Sequence, residues 1–449
     1  MQRVAVLGLA LTGTAVARAM NARGISLTLG DNRISSDHQA LAKDIGAALI
    51  DMNSDGAVDA LLDGVDTLMP APGVPPSHPA IVAATQRGIA VRTEIDVAYE
   101  WEQGRVGGPR PILGVTGTDG KTTTTMIAAH LLRENGFRVA EVGNTDLPFV
   151  AAVDSDVDVF VVECSSFRLR YTTQFRCDAS VWLNFAPDHL DWHSDINDYA
   201  SAKEQMWKFV VDTDVAVFPV GNELIASAAQ RSQARAVSFG MSDAAYRTQD
   251  GMLVSPEGSL CGVKNLWRSM PHDVTNSLAA SALVIESGLV PATQLATALS
   301  NFVSAHHRIE HIGDFDGSAW YDDSKATSPH AALTAIRAFE SVVLIAGGRN
   351  KDLDLSQMAT EPHRMAGVVA IGDDADLVAD AFTGVCDVKI ALDMSSAVQL
   401  AAEMASPGVA VLLSPGCTSY DWYRNYNERG EHFTQCVRDH FGGAATHGK

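Results

Sequence analysis

Short apolar runs alternate with Gly-containing turns and helix-compatible stretches from Arg3 to the end of the chain. In the first cycle, the pattern predicts a strand at residues 4–7, a turn at 8–13, a helix from about Thr14 and a second strand at 27–29. Strands that alternate with helical stretches are typical of an α/β fold with a parallel sheet. We therefore predict an α/β fold along the whole chain.

The chain is long enough for several cores. Its 449 residues correspond to three domains at roughly 150 residues per domain. Gly and Pro are concentrated at residues 104–111. A second predicted break between elements, at 301–308, precedes a new predicted strand at 319–322. Such stretches are typical of linkers. We place the domains at 1–99, 100–304 and 305–449.

Composition and charge narrow the class of protein. Hydrophobic residues make up 46% of the chain and charged residues 19%, as in globular proteins. The net charge of −21 disfavours nucleic acid and anionic membrane surfaces as partners, so a phosphate ligand needs local cations. No window approaches 18 apolar residues, and the six cysteines form no CxxC pair. We therefore expect no membrane insertion and a reducing, cytoplasmic location.

The clearest chemical motif is LGVTGTDGKT at residues 113–122, between an apolar strand and a helix that we expect to begin at Lys121. Backbone N–H groups of such a loop can cradle phosphates, a lysine can reach the terminal phosphate oxygens, and the Thr122 hydroxyl can bind Mg²⁺. The spacing differs from the common phosphate-loop pattern because Val115 occupies the position of the first glycine. The predicted ATP-binding loop consists of Gly117, Thr118, Asp119, Gly120, Lys121, Thr122 and Thr123.

Polar residues follow the next two predicted strands. Glu163 ends a β-branched run, and His189 follows the strand at 180–183. Since the carboxyl ends of parallel strands share one sheet edge, a carboxylate there can hold Mg²⁺ beside the phosphate loop, and a histidine can act at the metal or accept a proton. Lys203 lies in a helical stretch, and composition alone predicts only a solvated lysine there.

The first and last segments carry weaker signals. The turn GLALTG has Ala10 where a dinucleotide-binding turn has glycine, and Asp31 follows the second strand, where it can meet a ribose or base. In the last segment Arg308, Lys325 and Lys351 lie near strand ends. Concentrated cations on an acidic protein indicate an anion site.

Taken together, the motifs resemble those of the Mur amide ligases. GVTGTDGKTTT, VVECSSF, NFAPDHLD, HRIE, DDSKAT, AGGRNKD and SPGCTSYDWYRNYNERG occur in that family's order and spacing and cover essentially the whole chain. DSKAT and the C-terminal motif favour the members that add D-glutamate. The resemblance implies a Rossmann-like N-terminal domain, a central P-loop-type ATPase domain with a mostly parallel sheet and a Rossmann-like C-terminal domain.

The resemblance also implies an activity. ATP would drive amide formation between UDP-N-acetylmuramoyl-L-alanine and D-glutamate through an acyl phosphate, a step in peptidoglycan precursor synthesis. The implied cofactors are ATP and two Mg²⁺ ions, with a CO₂-derived carbamate on Lys203. The implied partners are these small-molecule substrates alone, and we expect a monomer.

Residue roles are implied by the same match. Catalysis involves Lys121, His189 and Lys203. The metal ligands are Thr122, Glu163, His189 and Lys203. Beyond the phosphate loop, the nucleotide residues are Asn276, Arg308, Asp323 and Lys325. Uridine diphosphate is bound by Leu11, Thr12, Asp31, Arg33 and Gly73, and the muramoyl-alanine end by Asn144 and Ser165. The D-glutamate pocket consists of Thr327, Lys351, Ser419 and Tyr426.

Three positions depart from the family pattern. Ala71 replaces a usual serine, Arg168 replaces a usual glutamine after SSF, and Asp273 stands where the family usually has an amide. These departures put one uridine contact, one substrate contact and one adenine contact in doubt.

Other functions remain open at this stage. One is an L-glutamate-adding version of the same reaction, and another is a ligase similar to folylpolyglutamate synthetase, which the nucleotide pocket of the first domain argues against. A P-loop regulator that reads guanine is a third. The sequence NKDL at 350–353 nearly matches the guanine-binding NKxD, but Leu353 replaces the required aspartate.

Overall fold

The structure is a computed structural model that describes residues 2–190, 192–304, 306–350 and 353–442. Two compact units divide the chain, Met1–Phe302 and Val303–Lys449. The break between them falls inside the predicted linker at 301–308. The predicted domain boundaries at 99/100 and 304/305 stay predictions.

The first unit begins with a parallel sheet. Its described strands are β1 (Arg3–Leu7), β2 (Ser26–Asp31), β3 (Ala48–Asp51), β4 (Thr67–Pro70) and β5 (Ala90–Val91). The accompanying helices are α1 (Leu11–Ala22), α2 (Ser36–Ile45), α3 (Ala57–Leu62), α4 (Pro79–Gln86) and α5 (Glu94–Gln103). The strand order β3-β2-β1-β4-β5 reverses direction at β1, and ligands bind at such switch points in open α/β sheets. The turn after β1 lies there.

A second parallel sheet follows in the same unit. Its described strands are β6 (Ile112–Thr116), β7 (Val139–Gly143), β8 (Val159–Glu163), β9 (Ala179–Trp182), β10 (Val215–Pro219) and β11 (Arg235–Phe239). Their order is β11-β10-β9-β6-β8-β7. Because β6 pairs with both β8 and β9, with Val115 opposite Glu163 and Thr116 opposite Trp182, the ends of these three strands meet at one edge.

Helices and a small antiparallel sheet complete this unit. The helices are α6 (Lys121–Glu134), α7 (Phe149–Ala152), α8 (Ser166–Leu169), α9 (Ile196–Glu204), α10 (Glu223–Arg231), α11 (Pro271–Glu286) and α12 (Leu295–Asn301). The antiparallel strands are β12 (Arg247–Gln249), β13 (Met252–Ser255) and β14 (Gly258–Gly262). Helix α6 begins at Lys121, as the sequence predicts. The two parallel sheets share one hydrophobic cluster that includes Met20, Phe149 and Phe160, which explains why they form one unit.

The second unit contains a mostly parallel sheet in the order β15-β16-β20-β17-β18-β19. Its described strands are β15 (Glu310–Phe315), β16 (Ser318–Asp322), β17 (Val342–Gly347), β18 (Met365–Ile371), β19 (Val388–Ile390) and β20 (Ala410–Gly416). Its helices are α13 (Pro329–Ile336), α14 (Ala375–Ala381), α15 (Met394–Met404) and α16 (Tyr426–His440). Only β15 runs antiparallel to its neighbour among these described strands. The predicted α/β class is confirmed.

No described helix is long and apolar enough to cross a lipid bilayer.

A buried ion pair closes the predicted linker at 104–111. Both residues are buried: Glu102 is 0% exposed and Arg110 is 7% exposed. The Arg110 side chain donates from Nε and Nη2 to the Glu102 carboxylate at 2.9 and 2.7 Å, and Nη1 donates to the Ser155 carbonyl at 2.7 Å. The connection between α5 and β6 is therefore fixed by charge pairing, although its Gly and Pro content predicts only a linker.

We predict that Glu102→Ala lowers the free energy of unfolding of the first unit by about 3–5 kcal/mol, because it leaves the Arg110 charge buried and unpaired. Calorimetry and hydrogen exchange across β6 measure the loss. The matched control is Asp59→Ala, whose carboxylate pairs with Arg87 but is 77% exposed; a surface pair contributes only about 0–1 kcal/mol. Equal losses in both variants would contradict the prediction.

Candidate active site

The phosphate loop lies between β6 and α6 and is shaped by a neighbouring amide. The Asn184 Oδ1 atom accepts hydrogen bonds from the backbone N–H groups of Thr118 and Asp119 at 3.0 and 2.9 Å. Gly120 has φ 75°, and a Cβ there would lie 2.7 Å from the Asn276 Oδ1 atom. Glycine is therefore required at 120 by both conformation and space. Asn184 had no role in the sequence-based prediction.

Two lysine side chains converge on one backbone carbonyl of this loop. Lys121 Nζ donates to the carbonyls of Gly117 at 3.0 Å and Thr118 at 2.7 Å. Lys203 Nζ donates to the same Gly117 carbonyl at 2.6 Å. Thr122 and Thr123 follow in the partly exposed first turn of α6. The structure thus brings the predicted catalytic lysines to one point.

Lys203 is buried rather than solvated. Its residue is 1% exposed, and Nζ lies 4.5 Å from the centre of the Tyr199 ring. Burial, reinforced by the nearby Lys121 charge, holds the pKa of the Lys203 amine well below its usual value. The neutral, nucleophilic form of the amine is therefore favoured at this position.

Glu163 presents a carboxylate oxygen that has no protein partner. It ends β8 and is 1% exposed. Its Oε1 atom accepts a hydrogen bond from Asn144 Nδ2 at 2.8 Å, whereas Oε2 is buried without one. A buried, unpaired carboxylate oxygen is costly unless a cation or donor completes it. This oxygen fits a bound metal ion.

His189 lies on the loop between β9 and α9. Its backbone is left-handed (φ 54°), and its side chain is 40% exposed. The ring packs against Phe167 and Tyr199 with centroid distances of 4.7 and 5.9 Å. Because the Tyr199 hydroxyl lies 3.2 Å from Thr118 Oγ1, this aromatic contact links the His189 loop to the phosphate loop.

Asn276 lines a cavity next to the phosphate loop. The cavity has a volume of about 410 Å³ and is lined by Asn276, Asn184, Phe239 and Met241, among others. The departure at Asp273 has a structural explanation, since this buried carboxylate accepts from Arg268 Nε and Nη2 at 2.5 and 2.9 Å. Asp273 is therefore paired within the protein, whereas Asn276 is one of the polar residues that line the cavity.

Arg168 occupies the position of the usual glutamine and is only 4% exposed. Its Nε donates to Glu94 Oε1 at 3.1 Å, Nη1 to Asn144 Oδ1 at 2.6 Å and Nη2 to Thr12 Oγ1 at 3.0 Å. The last two acceptors are predicted substrate residues. Burial raises the pKa of Glu94, and the Arg168 charge opposes that rise. The sequence-based analysis did not identify Glu94 as the counter-charge.

The remaining predicted substrate residues of the first unit lie at or just after the ends of parallel strands. Asp31 accepts hydrogen bonds from the backbone N–H of Leu9 at 2.6 Å and of Arg33 at 2.8 Å, which fixes the turn after β1. Leu11 is 56% exposed. Gly73 lies in an exposed turn, and Ser165 caps α8 by accepting from Arg168 N at 3.4 Å.

In the second unit, the predicted residues Asp323, Lys325 and Thr327 follow β16, Ser419 follows β20, Tyr426 begins α16 and Arg308 precedes β15. Asp323 accepts from Ser414 Oγ at 2.7 Å and from the Ile309 backbone N–H at 3.2 Å. Burial raises its pKa to about 7. The neighbouring Arg308 charge opposes that rise. Lys325 Nζ lies 5.1 Å from the Tyr426 ring centre. Ser419 is buried, Thr327 is partly buried, and Lys351 lies outside the described residues.

A buried arginine of the C-terminal motif, which has no role assigned from the sequence, connects the loops after β16 and β20. Arg429 is 1% exposed and donates to Ser324 Oγ and to the carbonyls of Ser324 and Cys417, at 3.0, 2.9 and 3.2 Å. Burial lowers its pKa to about 10. Arg429 is the arginine of the motif's NERG ending, but its burial is not evident from the sequence.

Comparison with known families covers each region of the chain. Residues 2–93 match the Mur ligase MurD-like N-terminal domain, residues 115–284 the Mur ligase middle domain, and residues 307–417 the Mur ligase glutamate ligase domain.

Similar proteins extend this match to nearly full length. The UDP-N-acetylmuramoylalanine--D-glutamate ligase of Frankia casuarinae is 38% identical, with 97% of this chain and 93% of that protein covered. The same-named protein of Streptomyces coelicolor is 33% identical, with 98% of each covered. The fold is similar to that of MurF ligase from Thermotoga maritima in complex with ADP, at TM-score 0.59 and 17% identity, covering 94% of this chain and 90% of that chain. The chain therefore belongs to the Mur ligase family, together with the UDP-N-acetylmuramoylalanine--D-glutamate ligases.

Proposed function

We propose that this protein is the ATP-dependent ligase that joins D-glutamate to UDP-N-acetylmuramoyl-L-alanine in peptidoglycan precursor synthesis. The observation that carries the proposal is the convergence of Lys121 and Lys203 on the Gly117 carbonyl, at the sheet edge where Glu163 ends β8. The names of the full-length relatives supply the substrates. The protein acts on small molecules, and we place it in the cytoplasm as a monomer.

The reaction has two steps. A carboxylate oxygen of the substrate attacks the γ-phosphorus of ATP, so that ADP leaves and an acyl phosphate forms. The amine nitrogen of D-glutamate then attacks the acyl carbon, phosphate leaves, and the nitrogen loses a proton. Both steps bring several anions together, which requires preorganised cations and hydrogen-bond donors. Lys121, held over the phosphate loop, is positioned to meet the terminal phosphate oxygens.

The residues at the sheet edge fit Mg²⁺. The unpartnered Oε2 atom of Glu163 and the Thr122 hydroxyl are oxygen donors of the type that Mg²⁺ prefers. His189 completes the proposed ligand set on the substrate side, together with a carbamate on Lys203. When bound, Mg²⁺ would neutralise charge on the phosphate oxygens.

The carbamate has a physical basis in the depressed pKa of Lys203. A neutral amine nitrogen forms a bond to the carbon of CO₂ and releases a proton, which converts the neutral amine into an oxygen-bearing anion. This anion would form an attractive pair with the nearby Lys121 side chain.

The other predicted residues keep the roles that the family resemblance implies. We assign the uridine diphosphate end to Leu11, Thr12, Asp31, Arg33 and Gly73, and the muramoyl-alanine end to Asn144 and Ser165. We assign nucleotide binding to Asn276, Arg308, Asp323 and Lys325. The D-glutamate pocket consists of Thr327, Lys351, Ser419 and Tyr426. These assignments follow the three-domain division at 1–99, 100–304 and 305–449.

We predict that the protein uses D-glutamate as its amino-acid substrate. With ATP, Mg²⁺ and UDP-N-acetylmuramoyl-L-alanine, the purified protein releases ADP and phosphate on adding D-glutamate, and mass spectrometry detects the lengthened product. L-glutamate and a folate substrate serve as controls. Turnover with L-glutamate alone would assign the protein to the L-adding alternative, and turnover with the folate substrate alone would reject the Mur substrate.

The second prediction concerns the phosphate loop. Lys121→Ala lowers kcat by about 100- to 1,000-fold, because a donor directed at developing charge is removed. Steady-state kinetics measure the loss, and the exposed Lys208 provides a matched control, since Lys208→Ala keeps wild-type rates. A Lys121→Ala enzyme with near-normal kcat would remove the phosphate-loop assignment.

The third prediction concerns Lys203. Lys203→Ala loses most activity, and millimolar formate or acetate restores part of it by supplying a carboxylate in place of the carbamate. In wild-type protein, ¹³C-labelled bicarbonate gives a carbamate resonance in NMR spectra that Lys203→Arg lacks. A wild-type spectrum without this resonance, together with no rescue by either acid, would refute the carbamate.

A further inference from the structure

Three of the four proposed metal-binding residues come from three different elements of the first unit. Glu163 ends β8, His189 lies on the loop after β9, and Lys203 lies near the end of α9. A metal site tolerates displacements of only a few tenths of an ångström between its ligands. Strand pairing fixes Glu163, but a loop residue and a residue on a short helix need additional support.

A buried hydrogen-bonded chain connects the same three elements. His193 Nδ1 lies 3.1 Å from Asp198 Oδ2, and His193 Nε2 lies 2.9 Å from Ser166 Oγ. Ser166 begins α8 just after Glu163, His193 belongs to the His189 loop, and Asp198 lies in the first turn of α9. The chain therefore joins the three ligand-bearing segments by side-chain contacts.

One tautomer satisfies every member of the chain. Arg170 Nη1 donates to Asp198 Oδ1, and hydrogen bonds from Arg170 and His193 outweigh burial and hold the pKa of Asp198 below its usual value. With this carboxylate as acceptor, His193 donates from Nδ1 and accepts the Ser166 hydroxyl proton at Nε2. A fully satisfied buried network of this kind has a defined geometry.

The hydrogen-bonded chain of Ser166, His193 and Asp198 also contacts His189 directly. The backbone N–H of His193 donates to the His189 carbonyl at 2.9 Å. The rings of His189 and His193 pack against the same residue, Phe167, with centroid distances of 4.7 and 5.8 Å. Because His189 has a left-handed backbone, which is unfavourable for a residue with a side chain, its conformation depends on such contacts.

The same three residue types form the triad of serine hydrolases, but burial argues against that role here. Ser166 and His193 are each 2% exposed. A nucleophilic serine must reach a substrate carbonyl beside an oxyanion site, whereas the Ser166 hydroxyl is enclosed within the protein and hydrogen-bonded to His193. The hydrogen-bonded chain is instead suited to holding the segments that carry Glu163, His189 and Lys203 in place.

From this geometry we infer that His193 is a positioning residue, which holds the His189 loop and α9 in register with β8 so that Glu163, His189 and Lys203 form one metal site. The inference rests on the proposed function for the presence of a metal. His193 is not one of the proposed metal ligands or substrate residues. Side chains that orient metal ligands contribute about 10- to 100-fold to metal affinity or activity.

The test measures Mn²⁺ binding to the full-length protein with ADP, by electron paramagnetic resonance titration. His193→Phe keeps an aromatic ring and removes both hydrogen bonds, and we expect at least about 10-fold weaker Mn²⁺ binding. Ser166→Ala removes one hydrogen bond and weakens binding in the same direction by a smaller factor. It also provides the result if His193→Phe fails to fold.

The matched control is His130→Phe, at another histidine of the same unit. His130 Nε2 lies 3.0 Å from the Ala298 carbonyl and its ring packs on Phe302, away from the chain. This variant keeps wild-type Mn²⁺ binding even if its melting temperature falls. Folded His193→Phe with wild-type binding, equal weakening in the control, or a wild-type protein that binds no Mn²⁺ would each overturn the inference.

The ligase assay distinguishes failure of this inference from failure of the proposed function. If wild-type protein forms no amide product while Mn²⁺ binding depends on His193, the positioning role stands and the function is rejected. If the product forms and Mn²⁺ binding is independent of His193, the function stands and the positioning role is rejected.

Discussion

The site depends on one electrostatic constraint, which is that two lysine side chains share a single backbone acceptor. Lys121 and Lys203 both donate to the Gly117 carbonyl, and Lys203 is almost completely removed from solvent. Burial disfavours the protonated form of the Lys203 amine and the nearby Lys121 charge adds to this effect, so the pKa of Lys203 lies well below its usual value. Lys121 begins a helix closer to solvent and is the lysine proposed to meet the phosphate. The fold thereby assigns different chemistry to two residues of the same type.

Local sequence signals were sufficient to predict those parts of the site that are formed by neighbouring residues. The junction between β6 and α6 is encoded by a strand followed by glycines and a lysine, and the helix begins at Lys121 as predicted. The position of Glu163 follows from a β-branched run and the rule that parallel strands end at one edge. Lys203 could be assigned only through family resemblance, since its burial comes in part from packing against the phosphate loop, whose Gly117 is 86 residues away in sequence.

The residues that sequence reasoning missed act through tertiary contacts. The sequence spacing between these residues and their partners follows no recognisable pattern. The residues are Asn184, Glu94, His193 and Arg429. Arg168 illustrates the point, because the sequence shows only a cation where an amide is usual. The structure shows that Glu94 balances this charge and that the guanidinium donates to Thr12 and Asn144. Arg168 therefore forms a buried ion pair with Glu94 and hydrogen-bonds two predicted substrate residues.

The strong net negative charge gives these internal cations their significance. In a protein of net charge −21, long-range steering of an anionic substrate is weak, so binding has to rely on short-range groups with fixed geometry. In the first unit, Lys121 and Lys203 donate to loop carbonyls and the buried Arg168 donates to Glu94. In the second unit, the buried Arg429 donates to the carbonyls of Ser324 and Cys417. Groups held in this way need little reorganisation when charge develops on a bound substrate, which is the condition under which electrostatic stabilisation accelerates a reaction.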